Sequence, residues 1–213
     1  MKSVAVLGKK GGTTKTASSH LLCLGAYLSG IPAAYVLTDP TRKVRGEGRP
    51  YAVLDGRMPE QLALIFNSST SNLNGWLFID GGGNRPNFDI EVAKNVDLTL
   101  IPFRASEEDI DTVGQSLTEI PNALAWPSAW PTNGFAINTA QYLLDALGKA
   151  FPHRVITPAI PFVNSISDLL SAALATPSTV VRQTARKSFT TMQDYYDIHC
   201  PAEATPSAEE LSV

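Results

Sequence analysis

The residues Val4-Ala5-Val6-Leu7-Gly8-Lys9-Lys10-Gly11-Gly12-Thr13-Thr14-Lys15-Thr16 constrain this chain more than any other stretch. A short β-branched run ends in glycine, and a turn rich in glycine and lysine follows. Ala17-Ser18-Ser19-His20-Leu21-Leu22-Cys23-Leu24 then continues as an apolar-faced helix. A buried strand feeding directly into a helix is the first half of a β-α-β unit, which requires a parallel sheet to pack against. The turn between them brings backbone N–H groups to a helix N-terminus, where the helix dipole favours an anion. In such a loop Lys15 would reach the β- and γ-phosphates of a nucleotide, and the Thr16 hydroxyl would coordinate Mg²⁺. Against the general pattern G-x-x-x-x-G-K-[ST], Lys9 stands at the first glycine and Thr14 at the second.

With 213 residues, 44% of them hydrophobic, the chain can bury a full core, most simply as one domain over 1–199 with a loose polar tail at 200–213. Only 17% of residues are charged and the net charge is −3, so no global basic field attracts nucleic acid. Cys23 and Cys200 stand far apart, which fits a reduced cytoplasm and excludes a four-cysteine metal cluster. No apolar run is long enough to cross a bilayer, and Met1-Lys2 leads straight into the first strand without a signal peptide.

In chain order the pattern predicts strands over 3–8, 33–38, 75–80, 96–104, 134–138 and an edge strand at 154–157. It predicts helices over 15–29, 58–67, 88–94, 106–120, 140–151, 165–174 and 178–197. Between them lie a basic loop at 41–50, a polar turn at 68–74, an extended aromatic loop at 122–133 and a rigid proline loop at 158–162. Ser106-Glu107-Glu108-Asp109 reads as an N-cap with an acidic first turn. The alternation predicts a doubly wound α/β fold, a mostly parallel sheet with helices on both faces and its site at the strand C-termini.

The string Lys10-Gly11-Gly12-x-x-Lys15-Thr16 resembles the deviant Walker A box, KGGxGK[ST], of the ParA/MinD superfamily, with Lys10 in the place of its signature lysine. Other strand ends carry the same resemblance. Asp39-Pro40-Thr41 takes the place of the DPQ-like turn, although Leu37 stands where many members carry an acidic residue. Gly75 to Asp80 looks like a Walker B strand. Asn95 to Ser106 looks like the family's aD-vliPv-pS segment, Phe135-Ala136-Ile137-Asn138 like the strand whose Asn faces adenine, and Ala159-Ile160-Pro161 like the Ile-Pro loop beside the base.

The resemblance implies an ATP- and Mg²⁺-dependent ATPase with a defined set of site residues. Lys10, Lys15 and Asp39 would be catalytic, Asp39 orienting the attacking water. Lys9, Lys10, Gly11, Gly12, Thr13, Thr14, Lys15, Thr16, Ala17, Asn138 and Pro161 would bind nucleotide, and Thr16, Asp39 and Asp80 would hold the metal. It also implies a nucleotide-dependent homodimer with Lys10 acting in trans, a small DNA-bound, ParB-like partner, and a role in plasmid partition or stability. Non-specific DNA contact would fall to Arg154, Arg182, Arg186 and Lys187, and the acidic tail speaks against a membrane role. Two other classes remain open at this level: a nucleotide-binding adaptor without hydrolysis, and a small P-loop kinase or ligase.

Overall fold

In the computed structural model six parallel strands lie in the order β3-β2-β4-β1-β5-β6. The structure describes residues 1–69, 74–82, 85–171 and 176–201. The strands are β1 (Lys2–Val6), β2 (Ala33–Leu37), β3 (Ala52–Asp55), β4 (Trp76–Asp80), β5 (Leu98–Phe103) and β6 (Ala123–Pro127). The helices are α1 (Lys15–Leu28), α2 (Pro59–Ser69), α3 (Pro86–Lys94), α4 (Glu107–Glu119), α5 (Gly134–Ala150) and α6 (Thr179–His199), with a 3₁₀ helix at Asn164–Leu170. The polar turn expected at 68–74, most of the tail and Gly83 lie largely outside the described residues.

Alternation along the strands sorts the core into two layers. Val4 and Val6 of β1 and Trp76 and Phe78 of β4 face α1 and α6, joining Leu21, Val181 and Phe189. Ala5, Leu77 and Ile79 face the opposite way, toward Leu62, Val92, Val113 and Leu147 of α2, α3, α4 and α5. Both faces are covered, as parallel strands require. Asp97 ties the α6 layer to the sheet: it accepts from the Ser3 N–H at 2.7 Å and the Tyr196 hydroxyl at 2.9 Å.

Three expectations fail, each for a local reason. Residues 123–127, expected as part of an aromatic loop, form the edge strand β6, paired with β5 from Thr99↔Ala123 to Phe103↔Pro127. Proline is tolerated there because it is the last residue of the strand, and the next N–H, that of Ser128, makes the bond to the Phe103 carbonyl. Residues 134–138 are not a strand but the first turns of α5: the Asn133 side chain accepts from the Ala136 N–H at 2.9 Å and caps the helix. The stretch at 154–157 makes a single bridge, Ala125↔Val155, and β3 was hidden behind the basic loop.

Gly25 sets the closeness of α1 and α6. A Cβ there would meet the Ala185 carbonyl oxygen at 2.3 Å and the Phe189 Cβ at 2.5 Å. Gly25→Ala therefore forces the two helices apart, and urea unfolding should show a loss of about 2 kcal/mol or more.

Candidate nucleotide and metal site

All six strands run the same way, so their carboxyl ends share one edge of the sheet, and the loop after β1 lies at its centre. A cavity of about 570 Å³ opens there, lined by residues 11–17 of the loop and first turn, and by Asp39, Gly82, Arg104, Ser128 and Pro161. Its size suits a nucleotide. The Lys15 ammonium is buried and donates to the Lys10 carbonyl at 2.8 Å. Burial lowers its pKa, and the nearby Asp80 and Asp89 carboxylates oppose that shift.

Thr14 resolves how a β-branched residue fits at the second glycine position of the pattern. It adopts the left-handed conformation, φ 66 and ψ 9, that glycine would take. For an L residue this costs about 1–2 kcal/mol. Its hydroxyl is hydrogen-bonded to Ser128 Oγ, which in turn reaches the Phe103 carbonyl, so the strained residue is tied to the ends of β5 and β6. Ser128 follows β6, a strand that the sequence pattern does not mark.

Asp80 ends β4 with no exposed surface. Its Oδ2 accepts from the Tyr35 hydroxyl at 2.7 Å, while Oδ1 has no hydrogen-bond partner among the described residues. Burial raises its pKa to about 6, and the Tyr35 and Thr16 hydroxyls favour the ionised form. An orphaned carboxylate oxygen beside the Thr16 hydroxyl is a donor set that fits a hard divalent cation. Asp39 lies nearby on the cavity wall, its Oδ1 accepting from the Thr41 N–H at 2.9 Å and its Oδ2 paired with Arg42 at 3.3 Å. The glycines after Asp80 pack closely: a Cβ on Gly81 would meet the Leu7 Cδ2 at 2.5 Å, and one on Gly82 would meet the Asp39 Cα at 3.3 Å.

Other expected site residues stand elsewhere. Lys9 and Lys10 turn away from the cavity, Lys9 pairing with Glu119 at 2.6 Å and Lys10 with Asp109 at 2.7 Å and Glu108 at 2.9 Å. These partners raise the Lys10 pKa. Asn138 is exposed within α5 and does not line the cavity, so the strand-end place assigned to it is wrong; Ser128 is the polar residue at the corresponding strand end. Arg154 is also corrected. Its guanidinium donates to the carbonyls of Leu117, Ile120 and Ala123 at 2.7–3.0 Å, closing the end of α4 rather than facing solvent. Arg182, Arg186 and Lys187 are exposed on α6, away from the α1 contact.

Two residues join the site that sequence reasoning passed over. Arg104 lines the cavity wall, its position hidden at the end of an apolar strand. Asp89 is buried behind Gly81 with Oδ1 unpartnered among the described residues. Burial raises its pKa to about 6, with Lys15 and Arg85 opposing. A carboxyl raised above its unfolded value binds its proton more tightly when folded, so stability falls as pH rises from about 4 to about 6 and stays lower above that. Asp80 contributes a slope of the same sign. Asp89→Asn should therefore raise stability at pH 7 by on the order of 2 kcal/mol and flatten, without abolishing, the slope of urea-unfolding stability between pH 4 and 6.

Among the described residues no helix is long and apolar enough to cross a membrane. No family model matches the chain, and no curated protein does. Solved structures do. A ParA family ATPase from Chlorobium tepidum is similar with a TM-score of 0.68 at 13% identity, covering 89% of this chain and 98% of that one. McdA from Cyanothece gives 0.66 at 15% identity over 92% and 99%. Cobyrinic acid a,c-diamide synthase from Mycobacterium smegmatis, solved with a bound ATP analogue and magnesium, gives 0.67 at 13% identity over 92% and 95%. The order of strands, the loop at the head of α1 and these likenesses agree: the chain has the fold of these solved structures, a ParA family ATPase and McdA among them.

Proposed function

We propose that this chain binds ATP and Mg²⁺ in the cavity at the head of α1 and hydrolyses ATP slowly, as a dimerisation switch of the ParA type. The observation that carries the reading is the placement of Lys15 and Thr16 on the cavity wall with Asp80 buried next to them, its Oδ1 unpartnered among the described residues. The loop amides from Gly11 to Thr16 and the Lys15 ammonium would hold the phosphates, with Pro161 flanking the base. Thr16, Asp80 and Asp39 would hold the cation, which supplies neutralisation of phosphate charge when bound. Asp39 would also orient the attacking water, and Arg104 adds a cation able to offset charge developing on the phosphates.

In this reading two copies meet across their nucleotides, and Lys10 leaves Asp109 and Glu108 to reach the other copy's phosphate. Hydrolysis then separates the copies, so the bound nucleotide selects the assembly state. The output is the partition, stability or positioning of plasmid DNA through a small DNA-bound partner protein. Arg182, Arg186 and Lys187 form the surface that contacts DNA without sequence preference. The folded unit spans 1–199.

Light scattering with and without a non-hydrolysable ATP analogue tests the switch. The wild type should pass from monomer to dimer with the analogue, and Lys10→Ala should bind it while staying monomeric; a wild type that binds the analogue and remains monomeric contradicts the switch. ATP turnover, measured alone and with DNA, tests hydrolysis, and Arg104→Ala should lower it at least about tenfold. Replacing Arg182, Arg186 and Lys187 with alanine should weaken DNA binding and reduce its salt slope by about 2–3.

A further inference from the structure

Beside the nucleotide cavity lies a second chamber of about 410 Å³. Thr16, Arg42 and Leu170 line both, so the two spaces adjoin. The basic loop after β2 roofs the second chamber with Arg42, Lys43, Arg45 and Arg49, and its floor includes His20, one helical turn after Thr16, and Tyr35 of β2. The His20 and Tyr35 rings are stacked with centroids 4.0 Å apart. His20 is kept neutral, because burial and the Arg49 and Arg42 charges lower its pKa to about 3.

From this arrangement we infer that the chamber binds a small polyanion, a molecule carrying phosphate or carboxylate groups, next to the nucleotide. The inference does not depend on ATP hydrolysis or on dimerisation.

Charge supports it. Arg42 is paired with Asp39, but Lys43, Arg45 and Arg49 have no carboxylate within ion-pair distance among the described residues. Among the described residues the chamber lining contains no carboxylate; Asp39 is already paired with Arg42, and Asp80 accepts from the Tyr35 hydroxyl. Three uncompensated cations converging on one concavity hold a local positive potential that an anion relieves.

The roof is also built rather than loose. The Arg49 guanidinium donates to the Arg45 carbonyl at 2.8 Å and to the Tyr51 hydroxyl at 3.0 Å. Tyr51 is in turn hydrogen-bonded to His20 Nδ1 at 3.0 Å. The loop is thus anchored to α1, and from Tyr35 the path continues to Asp80. An occupant touching the His20–Tyr35 floor would lie one side chain away from the proposed metal carboxylate. The concave shape and aromatic floor suit a small molecule, whereas the backbone of a nucleic acid requires an open groove or face.

Calorimetric titration of the full chain, saturated with a non-hydrolysable ATP analogue and Mg²⁺, tests this. The probes are fructose 1,6-bisphosphate for phosphate and malonate for carboxylate, with a short single-stranded DNA as a third arm. At least one small anion should bind one to one. The double variant Lys43→Ala, Arg45→Ala, whose exposed side chains make no hydrogen bond among the described residues, should weaken it about tenfold and leave analogue affinity and thermal stability unchanged. Absence of small-anion binding, or equal binding by the variant, overturns the inference. So does binding of the DNA alone, which would assign the loop to nucleic acid. If the analogue itself fails to bind, the nucleotide reading falls, and the same comparison of wild type and variant on the nucleotide-free protein still decides the chamber.

Discussion

A carboxylate with no exposed surface stands at the end of the central strand β4, and only one of its oxygens is hydrogen-bonded among the described residues. Burying an ionised group without full compensation costs several kcal/mol or forces it to take a proton. Asp80 answers partly by a raised pKa and partly through Tyr35 and Thr16, and its other oxygen stays unpartnered among the described residues. The neighbouring features follow from that position. Leu37 of β2 pairs in register with Asp80, and the Thr38 N–H and hydroxyl both donate to the Asp80 carbonyl, at 3.2 and 2.7 Å. Gly81 and Gly82 let the chain leave β4 in close contact with Leu7 and Asp39.

The second constraint is conformational. The loop after β1 needs a left-handed residue immediately before Lys15, and this chain fills that place with threonine rather than glycine. The Thr14 to Ser128 to Phe103 chain of hydrogen bonds offsets strain that would otherwise favour an opened loop. Nucleotide loop and β6 are thereby coupled: the edge strand that contributes Ser128 also carries, through Ile160 and Trp130, the segment bearing Pro161.

Much of the architecture was legible in the chain because it follows apolar runs bounded by glycine and proline. β1, β2, β4 and β5 are such runs, and the Ser106 cap with its acidic turn marks α4 without ambiguity. What escaped depended on tertiary context. Ala123-Leu124-Ala125-Trp126-Pro127 has little β-branching and ends in proline, so only its pairing with β5 makes it a strand. Phe135-Ala136-Ile137-Asn138 has the apolar content of a strand, yet the Asn133 cap commits it to helix and moves Asn138 away from the cavity. Arg154 has the composition of a DNA contact but serves three backbone carbonyls, a role set by how α4 ends. Lys15, Thr16, Asp39 and Asp80 were readable because strand ends in a parallel sheet share one edge; Asp89 and Arg104 were not, since their approach to that edge depends on packing.

The central claim is that the cavity at the head of α1 is a nucleotide site completed by a cation on Asp80. Calorimetric titration of the wild type with ATP, in the presence and absence of Mg²⁺, measures this directly. The account predicts one site per chain with a Kd of about micromolar order with Mg²⁺, markedly weaker binding without it, and loss of that difference in Asp80→Ala. No binding at millimolar ATP with Mg²⁺, or an affinity indifferent to the metal, would contradict it.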